Sequence, residues 1–127
     1  MKKLFTFFAA IYVCSIQSIF ATDVSGTIST DSVWNIGGSP YVITSSLTIN
    51  HGVTLTVESG VTVKFNDNQY MYVYGGLSAT SAVFTSNNPS PTPGIWGNIQ
   101  VGNYSVSDSG NITLNSCQIQ YSTYLYI

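Results

Sequence analysis

The stretch GVTLTVESGVTVKF, Gly52 to Phe65, alternates apolar with polar residues twice, and only Glu58-Ser59-Gly60 separates the two runs. A period of two belongs to a strand with one face buried. The same period recurs along the chain, in Val42–Thr44, Leu47–Ile49, Val53–Val57, Val61–Phe65, Tyr70–Tyr74, Leu77–Thr80, Ala82–Thr85, Trp96–Val101, Asn111–Leu114 and Cys117–Tyr121. β-Branched and aromatic residues dominate these runs, and Gly, Asn, Ser and Pro mark the joints. No segment beyond residue 21 sustains a 3.6-residue pattern. The chain is therefore all-β. Only 6% of it is charged, against about a quarter in an ordinary globular domain. Ser, Thr, Asn and Tyr supply the polarity instead, which suits sheet faces and tight turns.

The N-terminus reads differently. MKKLFTFFAAIYVCSIQSIFA opens with Lys2 and Lys3, continues with an apolar stretch from Leu4 and ends on small Ala21. That is the pattern of a secretory signal peptide over residues 1–21. Its apolar core, interrupted by Ser15, Gln17 and Ser18, is short for a membrane span of about 20 residues. Cleavage after Ala21 leaves residues 22–127 as one exported unit without membrane insertion. Its destination is the extracellular space, the cell surface or the periplasm.

Charge then excludes whole classes of function. Loss of Lys2 and Lys3 moves the formal charge from −2 to −4, and Lys64 becomes the sole basic side chain. A chain this poor in cations cannot neutralise a phosphate backbone, so nucleic acid is not its partner. A polybasic membrane patch fails on the same count. Beyond residue 21, Cys117 is a single cysteine and cannot form an internal disulfide. It alternates with polar neighbours in NSCQIQY and reads as a small buried hydrophobe. A catalytic thiol needs a base, and the single histidine, His51, stands in a turn-like NHG.

Two architectures compete for these strands. A β-sandwich would join them by hairpins; a parallel β-helix would wind them into stacked coils. Hairpins favour Asn-Gly or Asp-Gly turns, and residues 22–127 contain neither dipeptide. A loose period also appears if Leu55, Tyr72, Ile99 and Leu125 occupy equivalent places. Both features favour the coil. Glu58-Ser59-Gly60 is then a corner, and Val53–Val57 should not pair with Val61–Phe65.

Longer phrases carry a resemblance. SVWNIGGSPYVITSSLTINHGVTLTVESGVTVKF, Ser32 to Phe65, resembles the opening of secreted bacterial right-handed parallel β-helix repeat proteins of the pectate-lyase-like solenoid superfamily. GGLSATSAVFTS, PGIWGNIQV and NITLNSCQIQYS resemble that family's next phrases, in order. The resemblance implies a right-handed parallel β-helix, with residues 22–127 forming the N-terminal cap and first coils. The apolar end YSTYLYI has no polar cap, so more of the same chain is expected to stack on it. Departures include Ser59, where the family often has Pro, and YMYVY after the VKF phrase.

Candidate chemistry is sparse. The carboxylates beyond residue 21 are Asp23, Asp31, Glu58, Asp67 and Asp108. Glycoside hydrolysis needs two of them about 5 to 9.5 Å apart, and no spacing pairs them on neighbouring strands. The β-helix lyases that the resemblance brings in use acidic calcium ligands with an Arg or Lys base; this chain has no Arg, and Lys64 has only Asp67 near it. Asn66-Asp67-Asn68 offers too few oxygens for calcium, which takes six to eight, and reads as an Asx-type turn. No catalytic residue, cofactor or metal is assigned.

Tyr70, Tyr72 and Tyr74 share one face of a strand, with Met71 and Val73 on the other. They are the candidate ligand-binding residues, able to meet sugar rings or another protein. A self-supporting ladder across adjacent strands is the plainer explanation. Tyr124 and Tyr126 repeat the pattern. Thr54-x-Thr56 resembles one unit of the threonine arrays on ice-binding β-helices, but Thr62 is followed by Lys64 at the equivalent step, which breaks the regularity. Asn103-Tyr104-Ser105 and Asn111-Ile112-Thr113 fit the N-glycosylation pattern by chance. Asn87–Gly94, with three prolines, reads as a stiff surface loop.

The expected function is that of an exported structural or surface β-helix region, adhesive or carbohydrate-interacting. Its partners would be polysaccharide or a host or cell-surface protein. The alternative is the N-terminal part of a polysaccharide lyase or glycoside hydrolase whose catalytic coils lie downstream. Val53, Leu55, Val57, Val61, Val63 and Phe65 should point inward, and Trp34, Ile99 and Cys117 should be buried.

Overall fold

A computed structural model describes residues 20–102 and 110–124. The signal segment, Asn103-Tyr104-Ser105, Asp108, Leu125 and Tyr126 lie outside the described residues or, for the signal segment, almost wholly so. The structure is all-β. Its strands are β1 (Thr22–Ile28), β2 (Ser32–Trp34), β3 (Tyr41–Ile49), β4 (Thr54–Val57), β5 (Thr62–Phe65), β6 (Met71–Val73), β7 (Gly76–Thr80), β8 (Val83–Ser86), β9 (Ile99–Val101), β10 (Asn111–Asn115) and β11 (Gln118–Ile119). A single 3-10 turn, Ile36–Gly38, follows β2.

Every ladder among the described strands is parallel. One sheet runs β2-β4-β7-β10; the other runs β11-β8-β5-β3-β6-β9, with β1 added on β3. Strands β4 and β5 do not pair with each other. β4 lies between β2 and β7, and β5 lies between β3 and β8. No described pair forms the antiparallel hairpin that a β-sandwich would need.

Glu58-Ser59-Gly60 is the joint between the two sheets. Gly60 has φ 85°, and Ser81 and Ser116 occupy the corresponding joints with φ 47° and 55°. The joints are stacked: the Gly60 amide donates to the Ser81 carbonyl (3.1 Å), and the Ser81 amide to the Asn115 carbonyl (2.8 Å). A left-handed residue turns the chain sharply while keeping its amide and carbonyl available to neighbouring passes.

Pairing puts like on like. Leu55 lies on Leu77 and Leu77 on Ile112. Val63 lies on Phe84, and Ile43 on Phe65. Leu47, Met71 and Ile99 form another stack. The inward side chains of β3 to β8 are almost entirely removed from water, with Ile43, Leu55, Val63, Phe65, Met71 and Phe84 all at 0% exposure, as are Val61 before β5 and Ile99 on β9. Phe65 and Trp96 stack at 3.9 Å, and Trp34 and Tyr41 at 4.5 Å. Most side-chain hydrogen bonds between successive passes span 20 to 27 residues. The Thr85–Gln120 bond spans 35.

Four expectations need correction. Leu55, Tyr72 and Ile99 are not equivalent: Leu55 pairs with Leu77 in one sheet, while Tyr72 faces outward beside Gln100 in the other. Each pass contributes strands to both sheets, so matching apolar runs by eye mixed the two. Val42–Thr44 and Leu47–Ile49 are one bent strand, β3, whose first part pairs with β5 and last part with β6. Thr62-x-Lys64 is not equivalent to Thr54-x-Thr56: Lys64 stands on β5 in the other sheet, between Val42 and Thr85. Cys117 is only half-buried. It shares a register position with Val61 and Ala82, as its place before β11 implies, but no described strand lies beyond it.

Candidate functional site

The tyrosine stripe forms, but along one strand rather than across several. Tyr70 and Tyr72 stack with centroids 5.9 Å apart, and Tyr72 and Tyr74 at 6.4 Å, with planes within 14° and 12° of parallel. Near-parallel rings at these distances are offset-stacked. Across the strands Tyr72 has Thr48 on one side and Gln100 on the other. A Cβ at Gly97 would fall inside the Tyr70 ring, so glycine there makes room for it. The phenol of Tyr72 is held above the ordinary tyrosine range, first by burial and then by the neighbouring phenols of Tyr70 and Tyr74.

The row does not stop at Tyr74. The imidazole of His51 stacks on Tyr74 at 5.6 Å and 19°. His51 sits in the turn before β4, and Tyr74 in the turn before β7, so stacking of the two passes brings them together. Beyond them opens a groove of about 480 Å³, lined by His51, Val53, Thr54, Tyr74, Gly75, Gly76, Ser78, Asn111 and Thr113 among others. None of its lining residues is Asp, Glu, Lys or Arg.

Parallel register builds the groove's floor. Thr54, Gly76 and Asn111 stand side by side on β4, β7 and β10, and Thr56, Ser78 and Thr113 form the next row. These rows face away from the buried Leu55, Leu77 and Val57. The missing side chain at Gly76 leaves the central gap. Gly75 is required by packing: a Cβ there would overlap the carbonyls of Val53 and Asn50. The Asp31 carboxylate accepts the Thr54 amide at 2.9 Å and so fixes the start of β4.

Sequence reading missed this arrangement. It singled out Thr54 and Thr56, but their neighbours in space are Gly76, Ser78, Asn111 and Thr113. His51 was seen only as a turn residue. The Gly75-Gly76 pair was the available signal, since adjacent glycines at a strand start mark close backbone approach.

The acidic residues are scattered. Asp23 lies on β1, Asp31 before β2, Glu58 after β4 and Asp67 between β5 and β6. The Asp67 carboxylate accepts from the Asn88 amide at 3.1 and 3.3 Å, and Asn66 accepts from Asn87 at 2.9 Å. These asparagine-rich turns therefore bond to each other from pass to pass. Among the described residues no three His, Cys, Asp or Glu side chains gather as a metal site, and no helix is long and apolar enough to cross a membrane.

The fold and its surface define the chain as an all-β protein of parallel sheets with an uncharged aromatic and hydroxyl-lined groove. Comparisons with protein-family models, curated proteins and solved structures gave no match.

Proposed function

We propose that residues 22–127 form the cap and first coils of an exported right-handed parallel β-helix that recognises polysaccharide at its surface without catalysis. The β-helix reading is supported by the wholly parallel pairing, by the stacked joints at Gly60, Ser81 and Ser116, and by the right-handed preference of parallel crossovers. Further coils of the same chain would stack against the half-buried Ile112, Leu114, Cys117 and Ile119. The observation that carries the recognition reading is the continuous row Tyr70–Tyr72–Tyr74–His51, which leads into an open groove lined by hydroxyls. Aromatic walls with a few directed polar groups suit sugars, which have apolar ring faces and hydroxyl rims.

The test is affinity electrophoresis of the purified protein through gels containing soluble polysaccharides. Retardation by at least one of them is expected. Tyr74→Ala should weaken that retention about tenfold or more, the loss usual for a central aromatic contact. A protein retarded by none of a broad set of neutral and acidic polysaccharides would overturn the reading.

A further inference from the structure

The outer face of β4, β7 and β10 is unusual in what it leaves out. Its first two outward rows are Thr54, Gly76 and Asn111, then Thr56, Ser78 and Thr113. All are small, and none is charged. Among the described residues, charges stand only at its borders, with Asp31 already bound to the Thr54 amide and Glu58 beyond the end of β4. On the β2 side the row through Thr56 meets Val33, which is 57% exposed and offers no hydroxyl.

The spacing is as informative as the chemistry. Neighbouring strands lie about 4.8 Å apart, close to the advance per unit of an extended β-linked glycan. A chain laid across β4, β7 and β10 would therefore meet one polar side chain of the Thr56–Ser78–Thr113 row at each sugar. The gap at Gly76 gives the central unit depth, and the Tyr74–His51 stack forms one wall.

We infer that this face is a three-unit binding site for an extended neutral glycan running across the strands. The inference rests on the carbohydrate reading above and specifies its site, ligand charge and direction. An acidic glycan would find no cation here to offset the desolvation of its carboxylates. Backbone geometry does not demand glycine at position 76, where φ is not positive; a side chain there would meet the Thr54 hydroxyl at 3.1 Å and fill the gap.

Isothermal titration of the full chain with cello-oligosaccharides of one to six glucose units, and with trigalacturonate, tests the site. Affinity should climb from one unit to three and then level off, with no trigalacturonate binding. Gly76→Thr should abolish cellotriose binding. Ser78→Ala and Thr113→Val should each cost about three- to tenfold, the size of one lost neutral hydrogen bond. Lys64→Gln, on the other sheet, should bind normally, and circular dichroism confirms the fold of each variant. Ser78→Ala and Thr113→Val are conservative changes at outward, at most half-buried positions and keep the test valid if Gly76→Thr misfolds. Cellotriose binding that Tyr70→Ala destroys but Ser78→Ala and Thr113→Val leave intact would overturn this site and spare the broader reading. Binding of trigalacturonate alone would do the same. Failure of all these oligosaccharides to bind would sink this site, while the broader reading falls only if the gel set of polysaccharides also fails to retard the protein.

Discussion

Gly60, Ser81 and Ser116 do the same work with different side chains. Each turns the chain from one sheet into the other with a positive φ, 85°, 47° and 55° respectively. An L-residue in this region costs roughly 1–2 kcal/mol relative to a right-handed conformation. Glycine avoids that cost but loses more backbone entropy on folding, about 0.5–1 kcal/mol. Ser81 is exposed, and its joint is held by backbone bonds to Asn115 and Gly60 that need no side chain. Ser81→Gly should therefore stabilise the fold by about 0.5–1 kcal/mol, read as a raised midpoint in urea. Gly60→Ala should destabilise it, because the new Cβ adds the positive-φ cost and lies 3.3 Å from the Ile36 side chain. A neutral or destabilising Ser81→Gly would mean that the joint is not strained. The sequence made the Gly60 joint visible, because a glycine separated two alternating runs. It concealed the other two, since serine is an ordinary surface residue and reveals a left-handed turn only through its backbone.

At the scale of strands, local pattern was a good guide to existence and a poor one to partnership. Inward residues of β4 and β5 follow from strict alternation, and all of them are buried. Strands β1 and β2 were overlooked because Gly26, with φ 81°, interrupts the alternation of β1, and β2 has only three residues. Pairing depends on contacts about one pass away along the chain, which no local window contains. The tyrosine stripe shows the same division: its outward face was legible, but not its packing along β6 nor its continuation to His51. That packing has a measurable consequence. The Tyr72 phenol is raised by burial and by Tyr70 and Tyr74, so the folded state favours its neutral form. An unfolded tyrosine ionises near pH 10. The stabilising contribution is thus complete below about pH 10 and is lost as pH rises through the higher folded value. Ultraviolet titration should show one phenol ionising late, and Tyr72→Phe should remove that late step and flatten the alkaline fall in stability. A single titration step at the ordinary tyrosine value would contradict the stacked, half-buried stripe.

For the whole molecule, stability should vary with position along the stack. Strands inside each sheet are flanked on both sides, while β10 and β11 end their sheets, so burial differs with place in the order. Leu55 and Leu77 lie between flanking strands and are 0% and 2% exposed. Ile112 continues their row on β10 and Leu114 the row of Val57 and Ala79, yet both are only partly buried, as is Ile119 on β11. Apolar area left in water contributes nothing to folding. The loss from Leu55→Ala should fall in the range of about 2–5 kcal/mol, and that from Leu114→Ala clearly below it. Hydrogen exchange would resolve the gradient without mutation. Amides of β4, β5 and β7 should exchange slowest, through global opening, and those of β10 and β11 fastest, through local fraying. The Trp96 indole works against that fraying: it stacks on Phe65 and donates to the Gln120 carbonyl at 2.7 Å, tying the segment after β11 to the inner core. Trp96→Phe keeps a ring on Phe65 but removes the donor, so it should speed exchange in β11 more than in β5. Equal protection of β11 and β5 in the unaltered protein would show that the partly buried row is covered in solution. The half-exposed residues of β10 and β11 would then mark the contact surface of whatever covers them.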